Sequence, residues 1–378
     1  MSRDAPPPLA SWPRTRLAEA LGVRHPIVQG PFGGGLSTVR LAATVSDAGG
    51  LGSFGAHGLV SDEIGPLVAD LRAATAAPFA VNLWVSTHDA PEEWMTGRRH
   101  AGFARRLGPV YEAAGVAPPP RPDRFGAAFE QQAAALLAAE PPVASFVFGV
   151  PDAEVLRECR ERGIVTMGTA TTPDEAVALD AAGVDVVVAS GLEAGGHRAA
   201  FLAEAEDSLY GTLPLARIAA TEVDAPVVAA GGIADAAGIV AALALGAEGV
   251  QMGTAFLATD ESGASPEHRE ALFGPAARRT ALTRAHTGRL ARGVPNRLSE
   301  ELVGAGAIAP YPYQRHLLAP AAGAARAAGR TDLVPLWAGQ GAPLLQHRAA
   351  GALVGALVQG TGAALAEVRR GAPAVAAT

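Results

Sequence analysis

Cysteine and lysine are the residues that this chain most clearly lacks. Its 378 residues include a single cysteine, Cys159, and no lysine. One cysteine excludes an intramolecular disulfide and any zinc site built on several thiolates. The absence of lysine disfavours a barrel enzyme that works through a Schiff base. Aromatic residues make up only 5% of the chain, so the core must be built mainly from alanine, valine and leucine.

Long hydrophobic runs and basic patches are also missing. No apolar run reaches the roughly 18 residues that a membrane-spanning helix needs. Residues Met1–Ala10 contain Asp4 and three prolines rather than the apolar segment of a signal peptide. The formal net charge is −7, and the arginines are scattered without the interleaved aromatic residues of a nucleic-acid surface. We therefore expect a cytoplasmic protein that binds neither membrane nor nucleic acid.

What the chain does have is a regular alternation of short β-branched runs and amphipathic helical patterns. Several of the eight runs are almost continuously hydrophobic, as is typical of strands covered on both faces. Eight β/α units favour a TIM (β/α)8 barrel with an additional helical cap, and a doubly wound open sheet is the alternative. The predicted strands are 25–29, 51–54, 79–84, 145–148, 164–167, 185–189, 225–229 and 249–252, and the predicted helices are 38–48, 62–74, 153–162, 173–181, 213–222 and 235–245.

The chain is longer than the about 250 residues that are typical of such a barrel. We expect a flexible N-terminal tail over residues 1–14, the barrel over 15–265 and a second tail over 361–378. An insertion at about 88–142 separates the third and fourth strands. Residues 266–360 are expected to form a helical region that packs on the barrel mouth.

The loop after the sixth predicted strand is the most informative candidate site. Residues 188–197 read Val-Ala-Ser-Gly-Leu-Glu-Ala-Gly-Gly-His, in which a strand enters a turn of small residues and ends at His197. Ligands of barrel enzymes bind in such loops. Glycines allow the backbone to approach a flat or anionic ligand, and an imidazole beside that ligand can exchange a proton near neutral pH. The pattern predicts that His197 lies in the active site.

Glycines also follow the seventh and eighth predicted strands. Gly231-Gly232 and Gly253-Thr254 supply backbone amides and a hydroxyl in the loops that often bind phosphate in barrels. This pattern indicates a phosphate-bearing ligand, although the chain has no Walker motif and no GxGxxG between a strand and a helix. The side chains of Gln29, Asn82 and Gln251 can hydrogen-bond a flat ring with polar edges. FMN, which has one phosphate, a polyol and such a ring, meets these requirements.

Together these segments resemble the nitronate monooxygenase family, formerly called 2-nitropropane dioxygenases, whose members are FMN-dependent TIM-barrel enzymes. The resemblance covers about residues 20–360, and its motifs occur in order. They are 26–31 (PIVQGP), 48–52 (AGGLG), 81–84 (VNLW), 145–151 (SFVFGVP), 168–172 (GTATT), 191–197 (GLEAGGH), 229–233 (AAGGI), 251–256 (QMGTAF), 282–284 with 296–297, and 337–340 (WAGQ).

The resemblance implies an activity and a set of site residues. Family enzymes oxidise alkyl nitronates with O2 to a carbonyl compound and nitrite, and they need no nicotinamide cofactor. His197 is then the active-site histidine that faces the flavin and handles a substrate proton, and an imidazolium there would also stabilise the anionic nitronate. We expect a monomer or a homodimer. The residues expected to bind FMN are Gln29, Gly30, Pro31, Phe32, Asn82, Ser190, Gly195, Gly196, Gly231, Gly232, Gln251, Met252, Gly253 and Thr254.

Two positions depart from the family pattern. Many relatives carry glutamine at the position of Ser190, so one flavin contact is shortened here or replaced by water. The first loop, often Pro-Met in the family, reads Pro31-Phe32 in this chain. Because Phe32 is bulkier and stiffer than methionine, we expect it to reshape the pocket beside the ring. Both departures bear on the identity of the substrate more than on that of the cofactor.

The remaining candidate residues have less specific signals. His57 follows the second strand, and Gln340 lies in a segment that either folds over the flavin or anchors the C-terminal tail; both are candidates for the substrate pocket. Glu193 is either a general base or, as we favour, a hydrogen-bond acceptor for loop amides. No spacing suggests metal ligands. The histidines expected at the surface or in packing are His286, His316 and His347.

Two other functions are compatible with the same residues. An FMN-dependent enoyl-acyl-carrier-protein reductase that uses NAD(P)H has a similar Gly-x-Glu-Ala-Gly-Gly-His loop, but residues 145–149 and the long C-terminal region favour the monooxygenase. The other alternative is a non-catalytic flavin-binding module. Flavin reduction by NADH distinguishes the first alternative, and failure to turn over any nitronate distinguishes the second.

Overall fold

The computed structural model describes residues 12–86, 89–122, 127–304 and 306–371, so most of the expected N-terminal tail and residues 372–378 lie outside the described residues. The described strands are β1 (Ile27–Gln29), β2 (Gly52–Gly55), β3 (Phe79–Trp84), β4 (Val143–Val147), β5 (Val165–Ala170), β6 (Val186–Ser190), β7 (Gly196–His197), β8 (Val227–Ala230), β9 (Gly249–Met252), β10 (Ala281–Thr283) and β11 (Ala291–Gly293). The described α-helices are α1 (Arg16–Leu21), α2 (Val39–Asp47), α3 (Ser61–Ala74), α4 (Gly97–Arg106), α5 (Gly108–Ala114), α6 (Phe129–Ala139), α7 (Ala153–Glu161), α8 (Pro173–Ala181), α9 (Thr212–Glu222), α10 (Ala236–Ala244), α11 (Thr254–Leu257), α12 (Pro266–Phe273), α13 (Arg297–Glu301), α14 (Tyr313–Ala327) and α15 (Ala350–Gly371).

Eight parallel strands of the described chain form a TIM barrel. Their hydrogen-bonded order is β1-β9-β8-β6-β5-β4-β3-β2, and a parallel bridge between Val28 and Leu51 closes the sheet. At this closure Gln29 N donates to Leu51 O at 2.9 Å, and Leu51 N donates to Ile27 O at 2.9 Å. The predicted barrel is therefore confirmed. The doubly wound open sheet is wrong because it would leave two unpaired edges.

The helices around the barrel begin where the sequence supplies capping side chains. Thr38, Thr172 and Asp235 each accept a hydrogen bond from a backbone amide in the first turn of α2, α8 and α10. Each bond satisfies a donor that the helix itself leaves free. Gly183 and Gly246 follow α8 and α10 with φ angles of +84° and +100°, which lets the chain leave the helix and enter the next strand.

Small aliphatic side chains fill the barrel, as the composition predicts. Val28, Val186, Val188 and Val228 form one buried cluster in its interior. Leu17 of α1 belongs to the same cluster and is fully buried. Because the interior is packed with side chains, a ligand can bind only at the barrel mouth.

The insertion and the C-terminal region pack on each other. Phe103 and Tyr111 of the insertion share a buried cluster with Leu317 and Leu318 of α14. The Tyr111 hydroxyl donates a hydrogen bond to the Leu317 carbonyl at 3.0 Å. Among the described residues of the expected insertion, α4, α5 and a short 3-10 helix (Glu92–Trp94) are additional, whereas α6 packs beside α3 and β3 as a barrel helix does.

The C-terminal region contains a small sheet as well as helices. β7 pairs antiparallel with β11, and β11 pairs antiparallel with β10. The sequence predicts only helices for the C-terminal region, because strands of two or three residues leave no periodic pattern. This sheet joins the loop that carries His197 to the C-terminal region.

The last helix packs against the outside of the barrel. α15 continues to Gly371, so the tail expected from residue 361 is helical as far as the described residues extend. Leu353, Val354 and Leu357 are buried in a cluster with residues of α2 and α10. By length and composition alone, Ala350–Val368 is the one helix among the described residues that could cross a membrane. A helix packed in a protein core passes the same test, and α15 packs against α2 and α10.

Candidate active site

A cavity of about 660 Å³ lies at the carboxyl ends of the barrel strands. Its volume is in the range of small-molecule sites. The loops that follow the strands form its walls, as in other barrels, and the C-terminal region adds the rest. The sequence-predicted residues that line it are Pro31, Phe32, His57, Asn82, Ser190, Gly195, Gly196, His197, Gly231, Gly232, Gln251, Gly253 and Thr254.

His197 lines this cavity and is held from several sides. Its backbone pairs with Ala291 of β11, which fixes the position of the residue. Its Nε2 lies 2.9 Å from Thr287 Oγ1, within hydrogen-bond distance. The centroid of the imidazole lies 5.2 Å from that of Trp84 and 5.3 Å from that of Trp337. The ring is therefore oriented by one hydroxyl and flanked by two indoles.

The surroundings of His197 keep its imidazole neutral. Burial lowers the pKa of His197 well below its ordinary value, and the positive charges of Arg289 and Arg315 lower it further. A medium of low polarity disfavours the charged form of histidine, so the side chain carries no charge near pH 7. The imidazolium expected beside a bound nitronate is thus not favoured in the ligand-free site, and for the bound state it stays a prediction. Among the cavity-lining residues near His197, Arg315 supplies positive charge instead.

His57 forms part of the cavity wall. Its ring stacks on Trp84, with centroids 3.7 Å apart and planes inclined by 8°. Burial, followed by the charges of Arg315 and Arg289, lowers the pKa of His57 to about 3. A Cβ added at Gly33 would overlap the His57 ring, so the glycine-rich first loop lies directly against it.

Glycine backbones form another part of the cavity wall. Gly231 and Gly232 have φ angles of +112° and +71°, a region that glycine adopts without steric cost. A Cβ at Gly195 would lie 2.5 Å from the amide nitrogen of Gly339, so these two backbones pack directly on each other. Thr254 Oγ1 accepts a hydrogen bond from the Gly339 amide at 2.8 Å. Among the described residues no group accepts the Thr254 hydroxyl proton, so it can be donated to a ligand.

Three polar side chains reach the cavity from strand ends. Asn82 Nδ2 donates to the carbonyl and hydroxyl oxygens of Ser145 at 3.1 and 3.0 Å, which fixes the amide plane. Gln251 makes no side-chain hydrogen bond within the described part of the chain, so its amide is free for a ligand. Ser190 lines the cavity, and its carbonyl accepts a hydrogen bond from the buried Arg198.

Four residues expected in the site do not line the cavity. Gln29 is fully buried, and its Oε1 accepts a hydrogen bond from Ser53 N at 2.8 Å while its Nε2 donates to the Gly30 carbonyl. The ring contact expected of Gln29 is therefore wrong, because its amide is already satisfied inside the barrel. Gly30 and Met252 lie behind the lining, and Met252 is fully buried. Gln340 is exposed and uses its backbone amide to donate to the Glu193 carbonyl at 2.9 Å.

Glu193 has the structural role that we favoured. Its carboxylate accepts hydrogen bonds from the Thr212 amide at 2.9 and 3.1 Å and from the Thr212 hydroxyl at 2.8 Å. These bonds tie the turn before His197 to the start of α9. Since both oxygens are engaged, Glu193 is not available as a general base.

Several cavity residues escaped the sequence analysis. Trp84 ends β3 and Phe148 follows β4, so reading every strand end would have found them. His286, expected at the surface or in packing, is buried, lines the cavity and lies with its ring centroid 5.8 Å from that of Trp337; burial lowers the pKa of His286 to about 4. No local pattern marks the cavity residues from the C-terminal region. They include Thr287, Tyr311 and Arg315, whereas Trp337 belongs to the 337–340 motif.

The described residues contain no group of three or more histidine, cysteine, aspartate or glutamate side chains that could hold a metal ion. The polar groups of the cavity are mainly amides, hydroxyls, imidazoles and guanidiniums, and Glu267 is the one carboxylate among the described lining residues. Such a donor set suits an organic ligand with an anionic group.

The chain is similar to proteins of one family over most of its length. The sequence profile of a family described as "Nitronate monooxygenase" matches residues 14–360. A nitronate monooxygenase of Pseudomonas aeruginosa is 42% identical over 349 residues, which cover 91% of this chain and 98% of that protein. A solved nitroalkane oxidase from Streptomyces ansochromogenes is 40% identical, with a TM-score of 0.84 and coverage of 93% of this chain and 99% of that one. FabK from Thermotoga maritima is 27% identical, with a TM-score of 0.72 and coverage of 94% and 99%.

Proposed function

Because the chain belongs to the nitronate monooxygenase family, we propose that it uses FMN and O2 to oxidise alkyl nitronates to a carbonyl compound and nitrite. The observation that carries this proposal is the position of His197, a neutral imidazole between two indoles in a cavity partly walled by glycine backbones. This arrangement leaves room for a flat ring and for a small substrate beside a histidine.

The residues at the strand ends fit FMN. Gly231-Gly232 and Gly253-Thr254 line the cavity with backbone amides and a hydroxyl, so they would hold the phosphate. Asn82 and Gln251 would face the polar edge of the ring, and among the described residues the Gln251 side chain has no hydrogen-bond partner that would compete. The chemistry that FMN supplies when bound is the transfer of electrons from the nitronate to O2. The chain itself must then bind the substrate, orient it and exclude water.

The protonation state of His197 favours a substrate that arrives as an anion. A nitronate has already lost the proton next to its nitro group, so no strong base is needed to form it. A histidine whose pKa lies well below the ordinary value is a weak base, and it would abstract that proton from a neutral nitroalkane slowly. The Nε2 atom of the neutral imidazole is engaged with Thr287. The other ring nitrogen can still form one hydrogen bond with the bound substrate. The positive charge of Arg315 attracts the same anion.

The aromatic side chains keep water from the reacting atoms. Trp84, Phe148, Tyr311 and Trp337 line the cavity around His197. Apolar walls lower the local polarity, so each hydrogen bond and charge in the site acts more strongly on the substrate.

The test is oxygen uptake by the FMN-loaded protein with propionate 3-nitronate and with a series of alkyl nitronates, with nitrite measured alongside. We expect O2 consumption and nitrite formation that depend on bound flavin. A protein that binds FMN but forms no nitrite from any nitronate would contradict the proposal and favour a non-catalytic flavin-binding module.

The similarity to FabK makes an NAD(P)H-dependent reductase the second candidate. Anaerobic mixing of the flavin-loaded protein with NADH separates the two reactions. We expect the visible absorbance of the flavin to persist, because the monooxygenase needs no nicotinamide. Rapid bleaching would favour the reductase.

A further inference from the structure

Arg289 lies behind the aromatic wall of the cavity, and its side chain is only 12% exposed. Its guanidinium carbon lies 3.8 Å from the ring centroid of Phe148, 4.2 Å from that of Tyr311 and 5.0 Å from that of Trp84. All three distances are within the range of cation–π contacts. One guanidinium therefore touches three of the four aromatic rings that surround His197.

The loop after β3 anchors the same guanidinium. Arg289 forms an ion pair with Asp89, and its Nη2 also donates to Ser86 Oγ at 3.3 Å. Trp84 ends β3, just before these two residues. Arg289 thus connects the end of β3, the end of β4 and the C-terminal region, three segments that are far apart in the sequence.

The backbone at two of these contacts is in an unfavourable conformation. Ser86 has a φ of +56° and Phe148 a φ of +65°, and Glu140 is the one other non-glycine residue with positive φ in the described ranges. L-residues rarely adopt this region because of the clash around Cβ. Such conformations persist where surrounding contacts over-determine them, often at functional sites. Both strained residues contact Arg289.

We propose that Arg289 is a positioning residue, whose guanidinium holds Trp84, Phe148 and Tyr311 in the arrangement that encloses His197. The ring centroids of these three residues lie 5.2, 6.4 and 6.5 Å from that of the imidazole. A shift of the wall therefore changes both the shape of the substrate site and the surroundings of the histidine. The consequence for catalysis rests on the proposed function.

Arg289 also acts on His197 through its charge. The charged and titratable side chains that face the imidazole are Arg289, His57, Arg315 and His286. Removing the positive charge of Arg289 raises the pKa of His197 toward its ordinary value.

The test compares two substitutions of Arg289. Arg289→Met keeps most of the packing but removes the positive charge, and Arg289→Lys keeps the charge but loses the planar guanidinium group. Arg297→Met is the matched control, because Arg297 is an exposed arginine that pairs with Glu301 one helical turn away. We expect Arg289→Met to bind FMN but to lose at least about tenfold in kcat/KM for nitronates, since small misplacements in a site are costly. The pH dependence of its kcat/KM should also move to higher pH, because His197 becomes protonated at a higher pH than in the unmodified protein. We expect Arg289→Lys to lose rate without this shift of the pH dependence, and Arg297→Met to behave like the unmodified protein.

A second readout does not depend on turnover. In protein with ¹³C-labelled histidine, the His197 ring signal, assigned with His197→Asn, reports on nearby aromatic rings through its chemical shift and on its pKa through titration. We expect both to change in Arg289→Met, the shift alone to change in Arg289→Lys, and neither to change in Arg297→Met. An unchanged shift and an unchanged kcat/KM in Arg289→Met would overturn the inference. If the unmodified protein oxidises no nitronate, the proposed function fails while the histidine signal still decides the role of Arg289.

Discussion

Replacing Gly195 by alanine tests whether the backbone contact between the histidine loop and the C-terminal segment holds the site together. The added Cβ would lie 2.5 Å from Gly339 N and 2.6 Å from the carbonyl carbon of Ala338. Because both are backbone atoms, they cannot move away like the end of a flexible side chain. Ordinary carbon contacts need about 3.5 Å, so one of the two segments must shift by about 1 Å.

The cost of that shift follows from two contributions. Overpacking of a close contact costs about 1–3 kcal/mol. The Gly339 amide donates to Thr254 Oγ1 at 2.8 Å, and loss of this hydrogen bond adds about 1 kcal/mol. We therefore expect Gly195→Ala to lower the free energy of unfolding, or the free energy of FMN binding, by about 2–4 kcal/mol. If the whole loss falls on binding, the Kd of FMN rises at least about thirtyfold.

Denaturant unfolding of the flavin-free protein and titration of FMN fluorescence measure the two quantities. Gly196→Ala is the control, since a Cβ there meets nothing within 4 Å, although the φ of +80° adds backbone strain. That strain costs about 1–2 kcal/mol, so the control should lose less than Gly195→Ala. Retention of both stability and FMN affinity by Gly195→Ala would refute this prediction, and so would a larger loss of flavin-free stability in Gly196→Ala than in Gly195→Ala.

Three further predictions follow from the same geometry. His197→Asn should retain FMN but lose about 10²–10⁴ in kcat/KM for nitronates, as measured by oxygen uptake; unchanged turnover would remove His197 from the mechanism. The pKa values of His57 and His286 are lowered to about 3 and about 4. Near pH 6 these two histidines therefore bind protons in the unfolded chain but not in the folded chain. The free energy of unfolding should consequently fall by about 2 kcal/mol per histidine between pH 7 and 5. Denaturant midpoints across this range measure the fall, and His286→Phe should reduce it by about 2 kcal/mol, whereas a flat profile would contradict the effect of burial. Glu193→Gln should lower the free energy of unfolding by about 1–3 kcal/mol, because it weakens the charged hydrogen bonds to Thr212. Its kcat should stay within about tenfold of the original value. A thousandfold loss of kcat would instead make Glu193 a catalytic base.

The sequence predicts the features of this fold that depend on local patterns. Strands, capping residues and glycine turns each leave a signature within a few neighbouring residues, and the barrel rule then brings His197 and Gly231-Gly232 to one mouth. The direction of a single polar side chain is different. Gln29 ends a strand of three buried residues, and only the structure shows that its amide turns toward Ser53 rather than toward a ligand.

The residues that the sequence did not predict come from distant segments. Arg289, Tyr311 and Arg315 lie in the C-terminal region, where neither periodicity nor a motif marks them as neighbours of a strand end. Their place in the site depends on how that region folds over the barrel. The protonation state of His197 could not be predicted for the same reason, since it depends on burial and on cations from that region.

The small antiparallel sheet has a consequence for how the protein is made. Ala291, the residue that pairs with His197, lies 94 residues further along the chain (291 − 197), and Gly339 comes later still. During synthesis from the N-terminus, all eight barrel strands are therefore complete before the histidine has its partner strand. A chain that ends before Ala291 therefore lacks the strand that pairs with His197. The order of synthesis delays the assembly of the reactive site until the C-terminal region has been made.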